Sequence, residues 1–127
     1  MGEGIAHWII GPQLIGAVFI IAGYIQKTYP PKKINNYYGY RTPAAMKSQE
    51  TWDEANRYSA RVMIKTGFIL LVAGFALTFL FQVTPMPSKI KFALTYLMIL
   101  AAAMGSAIIM LTSTERHLEK TFEKNKE

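Results

Sequence analysis

The sequence predicts an all-α integral membrane protein with three transmembrane helices and an interfacial loop-helix between the first and the second. Residues 5–25, 66–83 and 92–111 are apolar runs that contain no Asp, Glu, Lys or Arg. Uncharged apolar runs of about 18 residues or more are typical of helices that cross the hydrocarbon core of a bilayer. The polar residues are collected between these runs and in the tail, and the basic residues are divided unevenly between the two ends of the runs.

Overall composition hides this segregation, since hydrophobic residues make up only 51% of the 127 residues. Three helices and one loop account for most of the chain, so we expect a single membrane domain over residues 1–127, with spans at about 5–25, 62–83 and 90–111. Three helices enclose little space, which makes a homo-oligomer plausible. The chain has no cysteine, and His7 and His117 fall at opposite ends of the predicted helices. Neither a metal site nor a cofactor is predicted.

The basic residues predict the orientation of the helices. Twelve of the fourteen lie in the first loop, with its approach to the second span, and in the tail, whereas only Lys89 and Lys91 lie on the other side. By the positive-inside rule, the loop and the C-terminus are cytoplasmic and the N-terminus is outside. The net charge of +6 would then face the anionic leaflet, so membrane lipids are expected partners. Nucleic acid is not, because no folded basic module is present.

Helix packing can also be predicted. Gly11-Pro12 should kink the first span near its outer end. Small residues spaced seven apart, Gly16 and Gly23 in the first span and Gly67 and Gly74 in the second, favour close approach of the helix backbones. The turn over residues 84–88 contains two prolines and makes the second and third spans antiparallel neighbours. We therefore expect these two spans to contact one another as a helical hairpin.

Residues 35–61, the motif loop, hold most of what helix packing leaves unexplained. Gly39 suits a backbone position with positive φ, and Pro43 favours an extended Thr42. Ser48 is a suitable N-cap for one helix that runs into the second span. Helical periodicity places Trp52 and Asn56 on the face that should pack inward, and a buried amide there needs hydrogen-bond partners. For Tyr37, Tyr38 and Tyr40, the alternative interpretation is an aromatic belt at the membrane interface.

In this loop the chain resembles the bacterial SdpI family, the immunity proteins against the sporulation-delaying toxin and their relatives. The resemblance is carried by Gly39-Tyr40-Arg41-Thr42-Pro43, Met46-Lys47, Glu50-x-Trp52 and Asn56-Arg57, followed by an apolar span. It implies a multi-pass protein of the bacterial plasma membrane that confers resistance to a membrane-active toxin. It also implies a peptide toxin and a cytoplasmic regulator as partners. The best-known member has six spans, with this motif in the half to which the present chain is similar.

We therefore predict a binding site in the motif loop and no catalytic site. Arg41 and Arg57 are expected to act as charge donors, with Glu50 as their acceptor. The orienting amides are Asn36 and Asn56, and Trp52 acts as an interfacial wedge. The full set of candidate binding residues is Asn36, Gly39, Tyr40, Arg41, Thr42, Pro43, Glu50, Trp52, Asn56 and Arg57.

Two other classes of function stay open on the sequence. A small membrane enzyme or transporter could clamp a phosphate-bearing lipid with Arg41, Arg57 and Arg61 beside Glu50 and Glu54. It is less favoured, because the sequence offers no pairing of a nucleophile with a base, and the apolar runs contain no carboxylate or lysine that would mark an ion path. A structural subunit of a larger membrane complex is the third class, and it leaves the motif loop without a purpose.

Overall fold

The computed structural model describes residues 2–123, and all regular structure in that range is helical. The four α-helices are α1 (Gly2–Ile9), α2 (Pro12–Thr28), α3 (Gln49–Val83) and α4 (Ser88–Leu118). A 3₁₀ turn, Ala45–Lys47, precedes α3, and a π-helical turn, Glu119–Glu123, continues α4. The predicted all-α class is confirmed.

The two longest helices have the surface of a membrane protein. In each of α3 and α4, an apolar window is long enough to cross a bilayer, yet only 17% of the window in α3 and 6% of that in α4 are buried inside the protein. Soluble monomers rarely expose contiguous apolar patches of more than a few hundred Å². The outward apolar side chains of these helices therefore match a lipid environment. Two of the three predicted spans are found in this way, whereas α2 has only 17 residues.

The shortness of α2 follows from the predicted break at Gly11-Pro12. Ile10 and Gly11 separate α1 from α2, and Pro12 occupies the first turn of α2. Proline lacks a backbone N–H, and at this position none is needed, so it starts a helix where it could not continue one. The first predicted span is thus two helices joined at the break.

Glycines bring α2 and α3 into close contact, as predicted. A Cβ atom on Gly16 would lie 2.6 Å from the carbonyl oxygen of Gly67, and one on Gly67 would lie 2.7 Å from the carbonyl oxygen of Gly16. The second glycine of each pair is similarly crowded, Gly23 by Ile64 and Gly74 by Gln13. The two helices run antiparallel with their backbones nearly touching.

The predicted contact between α3 and α4 is present, although α3 packs far more extensively against α2. The turn itself is confirmed, since α3 ends at Val83 and α4 begins at Ser88. On α4, Gly105 would have no atom within 4 Å of an added Cβ. The small residues of α4 therefore line an open groove rather than a tight helix pair.

Candidate functional site

Asn56 fixes the part of the motif loop that precedes α3, residues 35–48, to that helix. Its side chain is 2% exposed, and its Oδ1 accepts a hydrogen bond of 2.6 Å from the backbone N–H of Tyr40. The Nδ2 group donates to the carbonyl oxygens of Trp52 at 2.9 Å and of Tyr40 at 3.4 Å. The amide thus binds both backbone groups of Tyr40, as one strand binds another. The predicted burial of Asn56 and its need for hydrogen-bond partners are both confirmed. The partners are backbone groups, chiefly those of Tyr40.

Gly39 makes this contact feasible. Its φ is +104°, a left-handed conformation that other residues rarely adopt. A Cβ at this position would also lie 2.5 Å from Oδ1 of Asn56 and 2.7 Å from Cγ of Pro31. Both the backbone conformation and the available space therefore require glycine, as the sequence predicted for the conformation.

Trp52 is a buried anchor and cannot act as the predicted interfacial wedge. Its side chain is 0% exposed, and its indole N–H donates to the carbonyl oxygen of Pro31 at 2.7 Å. The predicted start of α3 is confirmed, since Ser48 caps the helix. Its Oγ accepts from the backbone N–H of Thr51 at 3.2 Å, while its own N–H donates to Oγ1 of Thr51 at 3.0 Å. This reciprocal cap sets where the helix begins and hence where Trp52 lies.

Gln26 is a site residue that reasoning from sequence missed. It is buried, and its Nε2 donates to the carbonyl oxygen of Asn56 and to Oγ of Ser59, each at 2.8 Å. The end of α2 is thereby joined to the turn of α3 that holds the motif loop. A signal was present in the sequence, because Gln26 follows Gly23 by three residues and so shares the glycine face of α2.

Tyr40 connects the loop to α4. Its ring is 5% exposed and packs in a cluster with Ala45, Ala55 and Leu118. Its hydroxyl donates to Oε1 of Glu115 at 2.8 Å. Burial and the neighbouring carboxylate both disfavour the phenolate and raise the pKa of Tyr40 far above its usual value of 10.0. Tyr40 is therefore a neutral donor, and an aromatic belt does not account for it.

A second connection to α4 is centred on Glu54, in the polar part of α3 that precedes the apolar stretch. The Nε group of Arg57 donates to its carboxylate at 2.8 Å, and the Nε2 group of His117 donates at 2.5 Å. The ring of His117 also stacks on that of Tyr58, with centroids 3.9 Å apart and an interplanar angle of 5°. The hydrogen bond from Arg57, with the smaller contribution of His117, outweighs partial burial and lowers the pKa of Glu54.

Three of the remaining candidate residues, Asn36, Arg41 and Pro43, are exposed in the loop before α3. We call them, together with the exposed Tyr37 beside them, the motif surface. Tyr37 is 91% exposed, and Arg41 donates through Nη1 to the carbonyl oxygen of Asn36. Thr42 lies beneath them, where its Oγ1 accepts from the N–H of Ala45 at 3.3 Å.

The predicted pairing of Arg41 and Arg57 with Glu50 is not formed. Glu50 is exposed in the first turn of α3, Arg57 binds Glu54, and Arg41 binds the backbone of the loop. In helical geometry a partner at i,i+3 is within reach, which favours Glu54 over the more distant Glu50 for Arg57. The three arginines that a phosphate clamp would need have different neighbours, since Arg61 faces the groove between α3 and α4. Within residues 2–123, no group of three or more His, Asp or Glu side chains is placed to hold a metal ion.

Comparisons with known proteins match the part of the chain that contains this site. The model of the SdpI/YfhL protein family matches residues 32–114, which include the motif loop, α3 and most of α4. The uncharacterized protein YfhL of Bacillus subtilis (strain 168) is 53% identical over 62 residues, which are 49% of this chain and 54% of that protein. The chain thus spans about half the length of the curated relative that it matches. No solved structure matches the chain.

Proposed function

Because the chain belongs to the SdpI/YfhL protein family, we propose that it is a bacterial membrane immunity protein of the SdpI type. It recognises a membrane-active peptide toxin, or a partner, through the motif surface and the helix bundle. Membership supports the class of function, since the family resemblance implies resistance to such a toxin. The match to the family covers the motif loop, all of α3 and most of α4.

The observation that carries the proposal is the division of the motif into a buried half and an exposed half. Four residues of the motif hold the loop against α3 and α4, namely Gly39, Tyr40, Trp52 and Asn56. Such an arrangement gives the exposed residues a fixed position before any partner arrives. Preorganisation of this kind lowers the entropic cost of binding. A loop that served only as a connection would not need it.

We place this surface in the cytoplasm of a three-span protein. Gln13 of α2 donates to Oγ1 of Thr78 at 3.1 Å, and Gln26 binds the turn at Asn56, so α2 follows α3 along about four of its turns. A helix that lies along a transmembrane helix over this length lies at the same depth in the bilayer. The excess of lysine and arginine near the motif loop supports a cytoplasmic location for it and for the C-terminus, with the N-terminus outside.

Cysteine labelling tests the orientation, because the chain has no cysteine of its own. Tyr37→Cys reports the motif loop, and Lys89→Cys reports the turn between α3 and α4. In intact cells, a membrane-impermeant maleimide should label the second variant and reach the first only after lysis. Labelling of Tyr37→Cys from outside would reverse the proposed orientation.

Protection of a toxin-sensitive bacterium tests the function. We expect expression of the chain to raise survival against a membrane-active peptide toxin. Arg41→Ala should reduce this protection without lowering the amount of protein in the membrane, because Arg41 is exposed. Arg116→Ala is the matched control, since it removes an exposed arginine from α4, away from the motif surface. Equal survival with and without the wild-type chain, across several such toxins, would contradict the proposal.

A cytoplasmic regulator is the second partner that the family resemblance suggests. The motif surface is small, so we expect such a partner to bind weakly and reversibly. A fluorescent fusion of a candidate regulator should move to the membrane when the chain is expressed and stay dispersed with Arg41→Ala. A regulator that is recruited equally by both chains would not be using this surface.

A further inference from the structure

We propose that the groove between α3 and α4 is a binding site for one anionic phospholipid, with an acyl chain along its apolar part and the phosphate at Arg61 and Lys65. This site is separate from the motif surface and goes beyond the proposed immunity function. The groove has a volume of about 560 Å³ and opens sideways from the helix pair. Pockets that bind small molecules have volumes in the same range, roughly 300–1,000 Å³.

The apolar part of the groove has the shape of a channel for a chain. Its walls are Ile69 and Leu70 of α3, and its floor is made by small residues of α4, Ala101, Ala102 and Gly105. The empty space beside Gly105 shows that neither helix fills the channel with its own side chains. Dispersion contacts are lost along an unfilled surface of this kind, so a slender apolar occupant stabilises it.

The other part of the groove is cationic. Arg61 and Lys65 line it, one turn apart on α3, with Tyr58 and Ser113 beside them. Arg57, one turn earlier, is neutralised by Glu54. No acidic side chain pairs with Arg61 or Lys65 anywhere in the part of the chain that the structure describes, and none lines the groove. Two positive charges are therefore directed at an apolar channel without a counter-charge.

The order of these parts matches one class of occupant. In antiparallel helices, Lys65 is level with the end of α4 that carries Ser113, where the apolar stretch of α3 gives way to its polar extension. A phospholipid in the same leaflet places its phosphate at this depth and its acyl chain towards Ile69 and Gly105. Basic pockets between transmembrane helices bind anionic headgroups in this way. A second copy related by rotation about the membrane normal would instead place its own Arg61 and Lys65 nearby.

Native mass spectrometry of the full chain, released from detergent after incubation with equal amounts of phosphatidylglycerol and phosphatidylcholine, tests the proposal. The wild type should retain one phosphatidylglycerol in preference to phosphatidylcholine. Each basic residue near a membrane surface is expected to contribute about a five-fold preference for anionic lipid. Arg61→Gln and Lys65→Gln should each lower the preference by about that factor, and the double variant by about 25-fold. Arg116→Gln, which removes an exposed charge outside the groove, should leave it unchanged.

A second variant tests the channel independently of charge. In Gly105→Leu the added Cβ meets no atom within 4 Å and the rest of the side chain enters the open groove, so the variant should fold normally and lower the retention of both lipids several-fold. Ala93→Leu is its control, since it introduces the same leucine side chain at an exposed position of α4 outside the groove. Unchanged retention in Gly105→Leu would overturn the proposal, and so would an equal loss of preference in Arg116→Gln.

Two further measurements identify the ligand. Soluble glycerol phosphate, which has the headgroup chemistry but no acyl chain, should not displace the lipid at millimolar concentration. Complete displacement by it would reduce the site to a phosphate site and contradict the acyl channel. A dimer in the wild type that is lost in Gly105→Leu would assign the groove to a second copy and refute the lipid. These readouts do not involve toxin protection, so the two proposals can fail separately.

Discussion

Replacing Asn56 with alanine should release the motif loop from α3. The substitution leaves the N–H of Tyr40, now bonded at 2.6 Å, buried without an acceptor. An unpaired buried backbone group costs about 1–3 kcal/mol, and the lost bond to the carbonyl of Trp52 adds about 0.5–1.5 kcal/mol. We therefore expect a loss of about 2–4 kcal/mol in the free energy of unfolding. Against the total stability of a typical domain, about 5–15 kcal/mol, this is a large effect for one side chain.

Two measurements check this prediction in detergent micelles. Chemical unfolding followed by far-UV circular dichroism gives the change in stability, and hydrogen exchange gives the protection of the Tyr40 amide. We expect that amide to lose its protection in Asn56→Ala and to exchange as fast as exposed loop amides.

Asn36→Ala is the matched control, because the side chain of Asn36 is exposed and only its backbone carbonyl accepts a bond, from Arg41. It should change stability by less than about 0.5 kcal/mol, as surface substitutions usually do. If the Tyr40 amide stays protected in Asn56→Ala, the reasoning is wrong, since another group must then satisfy it.

Four more predictions concern the packing of the helices and of the motif loop. Gly67→Ala should destabilise the protein by about 1–3 kcal/mol in the same unfolding assay, because its Cβ would overlap the backbone of α2. Gly105→Ala should instead stabilise it by up to about 1 kcal/mol, since it gains helix propensity in open space. Arg57 lowers the pKa of Glu54 below its ordinary value of 4.5, so the ionised carboxylate contributes stability above pH 4.5 that is lost as the pH falls through the lowered pKa. Tyr40→Phe should cost about 1.5–3 kcal/mol, because it removes a buried hydroxyl bonded to a carboxylate of α4.

Controls follow from the same contacts. A stabilising Gly67→Ala would mean that α2 and α3 lie farther apart than described here. Glu54→Gln should remove the acid-dependent loss of stability, and persistence of that loss would assign it to another carboxylate. If Tyr40→Phe leaves stability unchanged, the bond to Glu115 does not hold the loop to α4.

The fold was predictable from the sequence wherever a single residue type decides the local backbone conformation or the polarity of a segment. Uncharged runs predicted the helices, Gly11-Pro12 predicted the break between α1 and α2, and Ser48 predicted the start of α3. Glycines seven apart predicted one face on α2 and one on α3 that permit close approach, because period and side-chain size determine how near two backbones can come.

The sequence predicted several of the residues that belong to the site, but it did not predict which groups they contact. The positive φ of Gly39 and the burial of Asn56 followed from residue type and helical face. The bond from Trp52 to Pro31 did not, because the position of a loop backbone depends on many weak choices along the chain. The pairing of Arg57 with Glu54 in place of Glu50 has a different and local cause, since the i,i+3 partner on the same helix is within reach.

By itself, the sequence determined which segments are helical and apolar, where the charges lie, and which small residues permit close contact, because these properties depend on local composition and period. Tertiary structure alone decided that α4 stands away from α3 to leave a groove, and that Glu115 and His117 of α4 receive the motif loop and the start of α3. Those outcomes depend on the relative placement of helices distant in sequence. Such placement is determined by the sum of many contacts, and no single residue pattern encodes it.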